Sequence, residues 1–193
     1  GARAVEFRDA GTGAPAGRWQ PPEPVTDVAP LGCASGRSGC AGMRTTGSGQ
    51  PRGWLLTAPQ PVASPALDRP SSWLVGDVAV TGAGDGVTGR SARTGKELWR
   101  RPTRGFVKVL AVQRDRVHLL TDSQELVTLD ASSGAELSRF VLDYDDQGTG
   151  WSAGWAYARD GYVAVERLTR PVRPKANDRE YYVTGQPVIF AGT

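Results

Sequence analysis

Short apolar runs separated by turn residues recur along the chain, most clearly between positions 106 and 141. Residues 107–112 form an apolar run, 116–121 alternate loosely, and 125–130 and 136–141 form two more runs. The segments between them are rich in Asp, Ser, Gln and Gly, which are typical of tight turns. Four strands of about five or six residues joined by such turns predict an antiparallel meander.

The same pattern predicts three further meanders, over about residues 25–57, 73–101 and 153–191, while residues 5–19 hold only the last two strands of another. One such sheet cannot bury both of its faces alone, so the sheets must stack on one another. We therefore expect residues 1–193 to be one portion of a single stacked architecture.

A repeated turn motif marks these units. It is a Thr-Gly or Ser-Gly pair, and its copies begin at Thr12, Thr46, Thr94 and Ser133. A period of about 40 residues is typical of four-stranded propeller blades. The sequence thus predicts an all-β fold, a β-propeller of about four and a half blades, expected to belong to a seven- or eight-bladed ring. The alternative is a closed ring of four blades with residues 5–19 packed as an arm.

The motif resembles the blade repeat of PQQ-type (quinoprotein-like) β-propellers, Ala-x-Asp-x-x-Thr-Gly-Lys-x-x-Trp. Residues 94–99, Thr-Gly-Lys-Glu-Leu-Trp, match its second half. Residues 130–134 match its first half, with Ser138 in place of the tryptophan, and residues 9–13 keep the Asp and the Thr-Gly pair. The Gly- and Arg-rich style is similar to that of actinobacterial members. Lipoprotein assembly scaffolds and the propeller ends of some bacterial Ser/Thr kinases look similar too.

Three copies of the motif lead to a tryptophan, namely Trp19, Trp54 and Trp99. Asp and Thr before Gly hold a tight turn through hydrogen bonds to backbone amides, and Gly supplies a positive φ. We expect each tryptophan to lie on an outer strand and to pack into the neighbouring blade. With Asp130, these residues are predicted to be inter-blade structural residues rather than a cofactor platform.

Composition and charge exclude several classes of protein. The chain has 39% hydrophobic residues and a net charge of +3, carried almost entirely by arginines. Nucleic-acid binding needs a denser basic patch with interleaved aromatic residues, so no nucleic-acid partner is predicted. No apolar run is long enough for a transmembrane helix, so any membrane anchor is expected to lie outside this sequence.

The two cysteines, Cys33 and Cys40, flank a Gly- and Ser-rich hexapeptide. Such a loop lets two antiparallel strands face each other at a distance that a disulfide can bridge. We therefore predict a disulfide, which implies an oxidising, extracytoplasmic setting; two buried free thiols are the alternative. The dehydrogenases that the blade motif resembles use adjacent cysteines, a calcium site and a catalytic Asp, so we expect no cofactor, no metal and no catalytic residue here.

Two loops are the predicted binding surfaces, at residues 143–151 and 169–180. The first departs from a calcium-binding loop at its ligand positions and is interpreted as a solvated acidic turn. The only histidine, His118, lies on a predicted strand without a nucleophile motif, so a packed structural role is expected. The residues expected in the two loops are Asp143, Asp145, Asp146, Trp151, Arg173 and Lys175.

These observations predict a non-catalytic, extracytoplasmic propeller that acts as a protein-interaction scaffold or ligand-sensing domain, with a protein or small-ligand partner. Two alternatives stay open. One is the C-terminal sensor propeller of a membrane Ser/Thr kinase. The other is a fragment of a PQQ-dependent dehydrogenase whose site lies on missing blades.

Overall fold

The structure is a computed structural model. The residues that it describes are 4–9, 11–31, 42–57, 60–69, 72–83, 86–103, 107–121, 125–141, 152–159, 162–172, 181–184 and 188–191. Within these ranges the chain forms β-strands and one 3₁₀ turn, Pro65–Leu67. The strands form five antiparallel sheets, which we number I to V in chain order.

Sheets I and II hold the first six strands. Sheet I contains β1 (Val5–Arg8) and β2 (Pro15–Trp19), and sheet II contains β3 (Asp27–Pro30), β4 (Gly42–Thr46), β5 (Arg52–Leu55) and β6 (Val62–Ala63). The fourth strand of sheet II therefore lies beyond residue 57, where the sequence pattern placed the end of this unit. A strand of two residues is too short to show the alternation of apolar and polar residues from which a strand is predicted.

Sheets III and IV are regular four-stranded meanders at the positions that the apolar runs predict. Sheet III contains β7 (Ser72–Val75), β8 (Val78–Ala83), β9 (Gly86–Ser91) and β10 (Glu97–Pro102); sheet IV contains β11 (Val107–Gln113), β12 (Arg116–Thr121), β13 (Glu125–Asp130) and β14 (Glu136–Val141). Both faces of these sheets are covered, so the central strands β8, β12 and β13 carry buried side chains on both faces.

Sheet V contains β15 (Ser152–Arg159), β16 (Tyr162–Val172), β17 (Tyr181–Thr184) and β18 (Val188–Ala191). Its arrangement differs from the four-strand meander expected there. Both β17 and β18 pair antiparallel with β16, at its two ends, so the chain does not reverse between them. The physical reason is the length of β16, which at eleven residues is about twice a usual strand and offers ladder positions to both.

Three of the four Thr-Gly or Ser-Gly turns are equivalent. The amides of Gly13, Gly95 and Gly134 donate to the carbonyls of Asp9, Ser91 and Asp130 respectively, each at 2.8 Å. All three glycines have a φ near +70°. These turns join β1 to β2, β9 to β10 and β13 to β14, so β1 and β2 correspond to the last two strands of a unit.

The turn at Thr46 is different. It joins β4 to β5, the second and third strands of sheet II, whereas the other copies join the last two strands of their sheets. The prediction that Trp54 lies on an outer strand was therefore wrong, since Trp54 belongs to β5. The Thr-Gly dipeptide occurs here in a turn that is not equivalent to the other three, because Thr and Gly are compatible with many kinds of tight turn.

The sheets stack face to face in chain order, and each neighbouring pair shares its own apolar core. Trp19, Met43 and Trp54 join sheets I and II; Leu55, Leu67 and Leu74 belong to the core of II and III; Val80, Val117 and Leu129 to that of III and IV; and Leu126, Val163 and Val165 to that of IV and V. Strand β11 contacts β7, β8 and β15, so the first strands of successive sheets lie together. Antiparallel sheets stacked in this way define a β-propeller, with about four blades in the described part of the chain.

Candidate binding site between sheets III and IV

A cleft of about 290 Å³ opens between the outer part of sheet III and the central strands of sheet IV. Three buried apolar side chains of β12 and β13 form its floor, and charged side chains line its rim. The floor consists of Leu119, Val127 and Leu129, and the other described residues that line the cleft are Arg101, Pro102, Thr103, Thr121, Glu125 and Arg139.

The cleft lies at one end of both sheets, which we call the cleft face. In sheet IV, Val107 pairs with Thr121 and Glu125 pairs with Val141, so these four residues share that end. Pro102, which ends β10, is among the lining residues, so sheet III reaches the cleft through the end of its last strand. Loops on a propeller face are held by rigid strands, which is the usual setting of a binding surface.

The rim carries a chain of alternating charges that links the two sheets. Glu136 accepts hydrogen bonds from Arg139 Nε at 3.0 Å and Nη2 at 2.8 Å, and from Arg101 Nη2 at 2.9 Å. Arg139 Nη1 also donates to Glu125 at 2.5 Å. Since Arg101 lies on sheet III and Glu136 on sheet IV, the network bridges neighbouring blades.

These hydrogen bonds shift the pKa values of the charged side chains in the rim. Hydrogen bonding from Arg139, with smaller contributions from the nearby guanidinium charges, holds the pKa of Glu136 below its ordinary value. The same hydrogen bonds raise the pKa of Arg139. The side chains of Arg101 and Arg139 are 39% and 43% exposed, whereas those of Glu136 and Glu125 are 28% and 23% exposed. The two arginine side chains of the rim are therefore more exposed than the two glutamate side chains.

A β-bulge places Glu136 and Arg139 on the same side of sheet IV. Leu129 pairs with Glu136 and Thr128 with Ser138, so Leu137 is an extra residue in the ladder. Without the bulge, residues three apart would point to opposite faces of the strand. Sequence reasoning missed this pair, because the alternation of polar residues carries no sign of the bulge.

Trp99 fills the other end of the same interface. Its indole Nε1 donates to the carbonyl of Ala131 at 2.9 Å, and its ring lies against Gly89 of its own sheet and Gly134 of sheet IV. A Cβ at either glycine would overlap the ring. Trp99 is half-buried and packs against the apolar core between sheets III and IV.

Trp19 and Trp54 meet at the interface of sheets I and II. Their ring centroids are 4.7 Å apart with an interplanar angle of 64°, the edge-to-face arrangement that aromatic pairs favour. The indole Nε1 of Trp54 donates to Thr45 Oγ1 at 2.8 Å. Both rings are buried in the core that sheets I and II share.

Asp130 acts within its turn. Its Oδ1 accepts hydrogen bonds from the amides and hydroxyls of Ser132 and Ser133, at 2.6 to 3.1 Å. The side-chain hydrogen bonds from Ser132 and Ser133 lower its pKa to about 2. The same turn contains the Ala131 carbonyl that accepts from Trp99, so Asp130 holds the partner of the tryptophan in place.

His118 is fully buried on the face of sheet IV that turns towards sheet V. Its Nδ1 lies 3.1 Å from Thr128 Oγ1, and its Nε2 has no hydrogen-bond partner among the described residues. Burial, and secondarily the charge of Arg116, lowers its pKa to about 4. A neutral, inaccessible imidazole has a structural role here, and it does not contribute to the cleft.

The residues predicted to form the disulfide and the binding loops lie outside the described residues: Cys33, Cys40, Asp143, Asp145, Asp146, Trp151, Arg173 and Lys175. The strands that flank the first loop are described. Strand β14, which precedes the first loop, ends at Val141 on the cleft face.

No group of three or more His, Cys, Asp or Glu side chains in the described ranges is placed to hold a metal ion. The described ranges also contain no helix with the length and apolar character needed to cross a membrane.

No protein-family model matches the sequence, and no curated protein matches it. Among solved structures, the chain is similar to BamB from Moraxella catarrhalis, with 16% identity and a TM-score of 0.48 over 86% of this chain and 51% of that one. It is also similar to the β-propeller domain of Cps50 (Swd1) from Myceliophteria thermophila, with 15% identity and a TM-score of 0.47 over 96% of this chain and 66% of that one. The chain thus spans about half the length of the first protein.

Proposed function

We propose that this chain is a non-catalytic interaction propeller that binds a protein partner through its cleft face. The observation that carries the proposal is the cleft between sheets III and IV, which combines an apolar floor with a charged rim on rigid strands. Interfaces of this composition are typical of protein recognition, where a buried apolar centre is surrounded by polar groups.

The lining of the cleft supports a binding role over a catalytic one. Among the lining residues that belong to the described ranges, nine in number, there is no Cys, His, Ser or Lys. The carboxylate of Glu125 is bound by Arg139, and the hydroxyl of Thr121 accepts from the Glu125 amide at 3.1 Å. A nucleophile with an adjacent general base, which acyl or phosphoryl transfer would need, is not formed by these groups.

A second part of the proposal assigns the chain to the PQQ-like type, of the actinobacterial style, and places it outside the cytoplasm. The three equivalent turns at Gly13, Gly95 and Gly134 support the type, because in each the glycine amide donates to the carbonyl four residues earlier, where the motif has its Asp and where Asp9 and Asp130 stand. The extracytoplasmic setting depends on a disulfide between Cys33 and Cys40. Mass spectrometry after alkylation of the denatured chain without reductant tests it: no added alkyl group is expected, and two added groups would contradict it.

The interaction is tested with the partner that copurifies with the chain from the source cells, identified by mass spectrometry and then purified. Replacing Arg101 and Arg139 by Gln removes both exposed guanidinium groups from the rim, and we expect at least about a tenfold weaker Kd. The matched control is Arg93→Gln, which breaks an exposed ion pair with Asp77 at the opposite end of sheet III. Equal weakening by both variants, or by neither, would contradict binding at the cleft face.

A further inference from the structure

We draw no further inference here: the strongest candidate, the cleft between sheets III and IV, belongs to the site already described, and because Glu136 and Glu125 balance the charges of Arg101 and Arg139, nothing in the structure shows what kind of ligand covers it.

Discussion

The interface between sheets III and IV and the one between sheets IV and V use equivalent strand positions for different chemistry. In sheet III, a row of paired positions across the four strands holds Trp73, Val80, Gly89 and Trp99, facing sheet IV. The equivalent row in sheet IV holds Ala111, His118, Thr128 and Ser138, facing sheet V. The first row is apolar and contains the Trp99 contact, whereas the second is polar and contains a buried histidine.

This difference shows that an equivalent position in two blades does not by itself decide which contacts the blade makes with the next one. Residue 89 is a glycine, and because it has no side chain the indole of Trp99 has room to lie over it and reach the next sheet. At Ser138 the small hydroxyl sits opposite Thr128 and has no hydrogen-bond partner among the described residues. The III–IV interface should therefore be the stronger one, and the IV–V interface should be the one that responds to pH.

The largest expected effect is at Trp99. Trp99→Ala removes the indole, its hydrogen bond to Ala131 and its packing on Gly134, and should lower the free energy of unfolding by about 3 kcal/mol, at the low end for tryptophan because the ring is half-buried. Urea denaturation measures it. Leu98→Ala, at the neighbouring exposed position, should change stability by less than about 0.5 kcal/mol. Similar losses from the two would show that Trp99 is not an anchor.

Gly134 tests the same contact from the other side. Gly134→Ala forces a side chain into a positive φ and into the ring of Trp99, so we expect a loss of about 2 kcal/mol. Gly95→Ala has the same backbone strain, with a φ of +73°, but no atom within 4 Å of the added Cβ. Its loss should be only about 1 kcal/mol. Equal losses in thermal or urea unfolding would mean that the overlap with Trp99 is relieved without cost.

The buried histidine of the polar row, His118, should make the stability of the chain depend on pH. Its pKa in the folded chain, about 4, lies below the unfolded value of 6.5, so the neutral ring favours folding. This contribution is complete above pH 6.5 and is lost as the pH falls towards 4. We expect unfolding free energy to fall by about 2 kcal/mol between pH 7 and pH 5. His118→Gln should lack this slope, and the same slope in both proteins would assign it to other groups.

The smallest expected change in stability concerns the turns that precede the last strands of sheets III and IV. Asp130 accepts four hydrogen bonds in its turn, whereas Ser91 Oγ at the equivalent place accepts one, from the Thr94 amide at 3.2 Å. Asp130→Ser should cost about 1 kcal/mol, and Ser91→Asp should gain about 0.5 kcal/mol. Thermal unfolding of the two variants checks whether the changes have opposite signs.

Much of the fold was predictable because its turns are local. The strands of sheets III and IV follow from apolar runs bounded by Asp, Gly and Ser, and the positive φ at Gly95 and Gly134 follows from the Thr-Gly and Ser-Gly pairs. Trp54 was misplaced because the Thr46 dipeptide has the same composition but joins different strands. The pairing of β17 and β18 with one strand was missed because pairing depends on partners far apart in the chain.

The candidate site was largely beyond the reach of the sequence. Glu136 and Arg139 share a face only because the bulge at Leu137 adds a residue to the ladder. The cleft needs Arg101 of one sheet beside Glu136 of the next. The binding loops that the sequence predicted lie outside the described residues except for residues 169–172, which belong to strand β16, so the role of the loops stays a prediction.

The sequence by itself determined the all-β class, the repeated turn and the short strands, because a tight turn and its hydrogen bonds need only four or five consecutive residues. The tertiary structure decided which faces meet, which tryptophan crosses to the next sheet and where a cleft remains open. Those outcomes depend on register and on the volumes of side chains from different sheets. No local pattern contains that information.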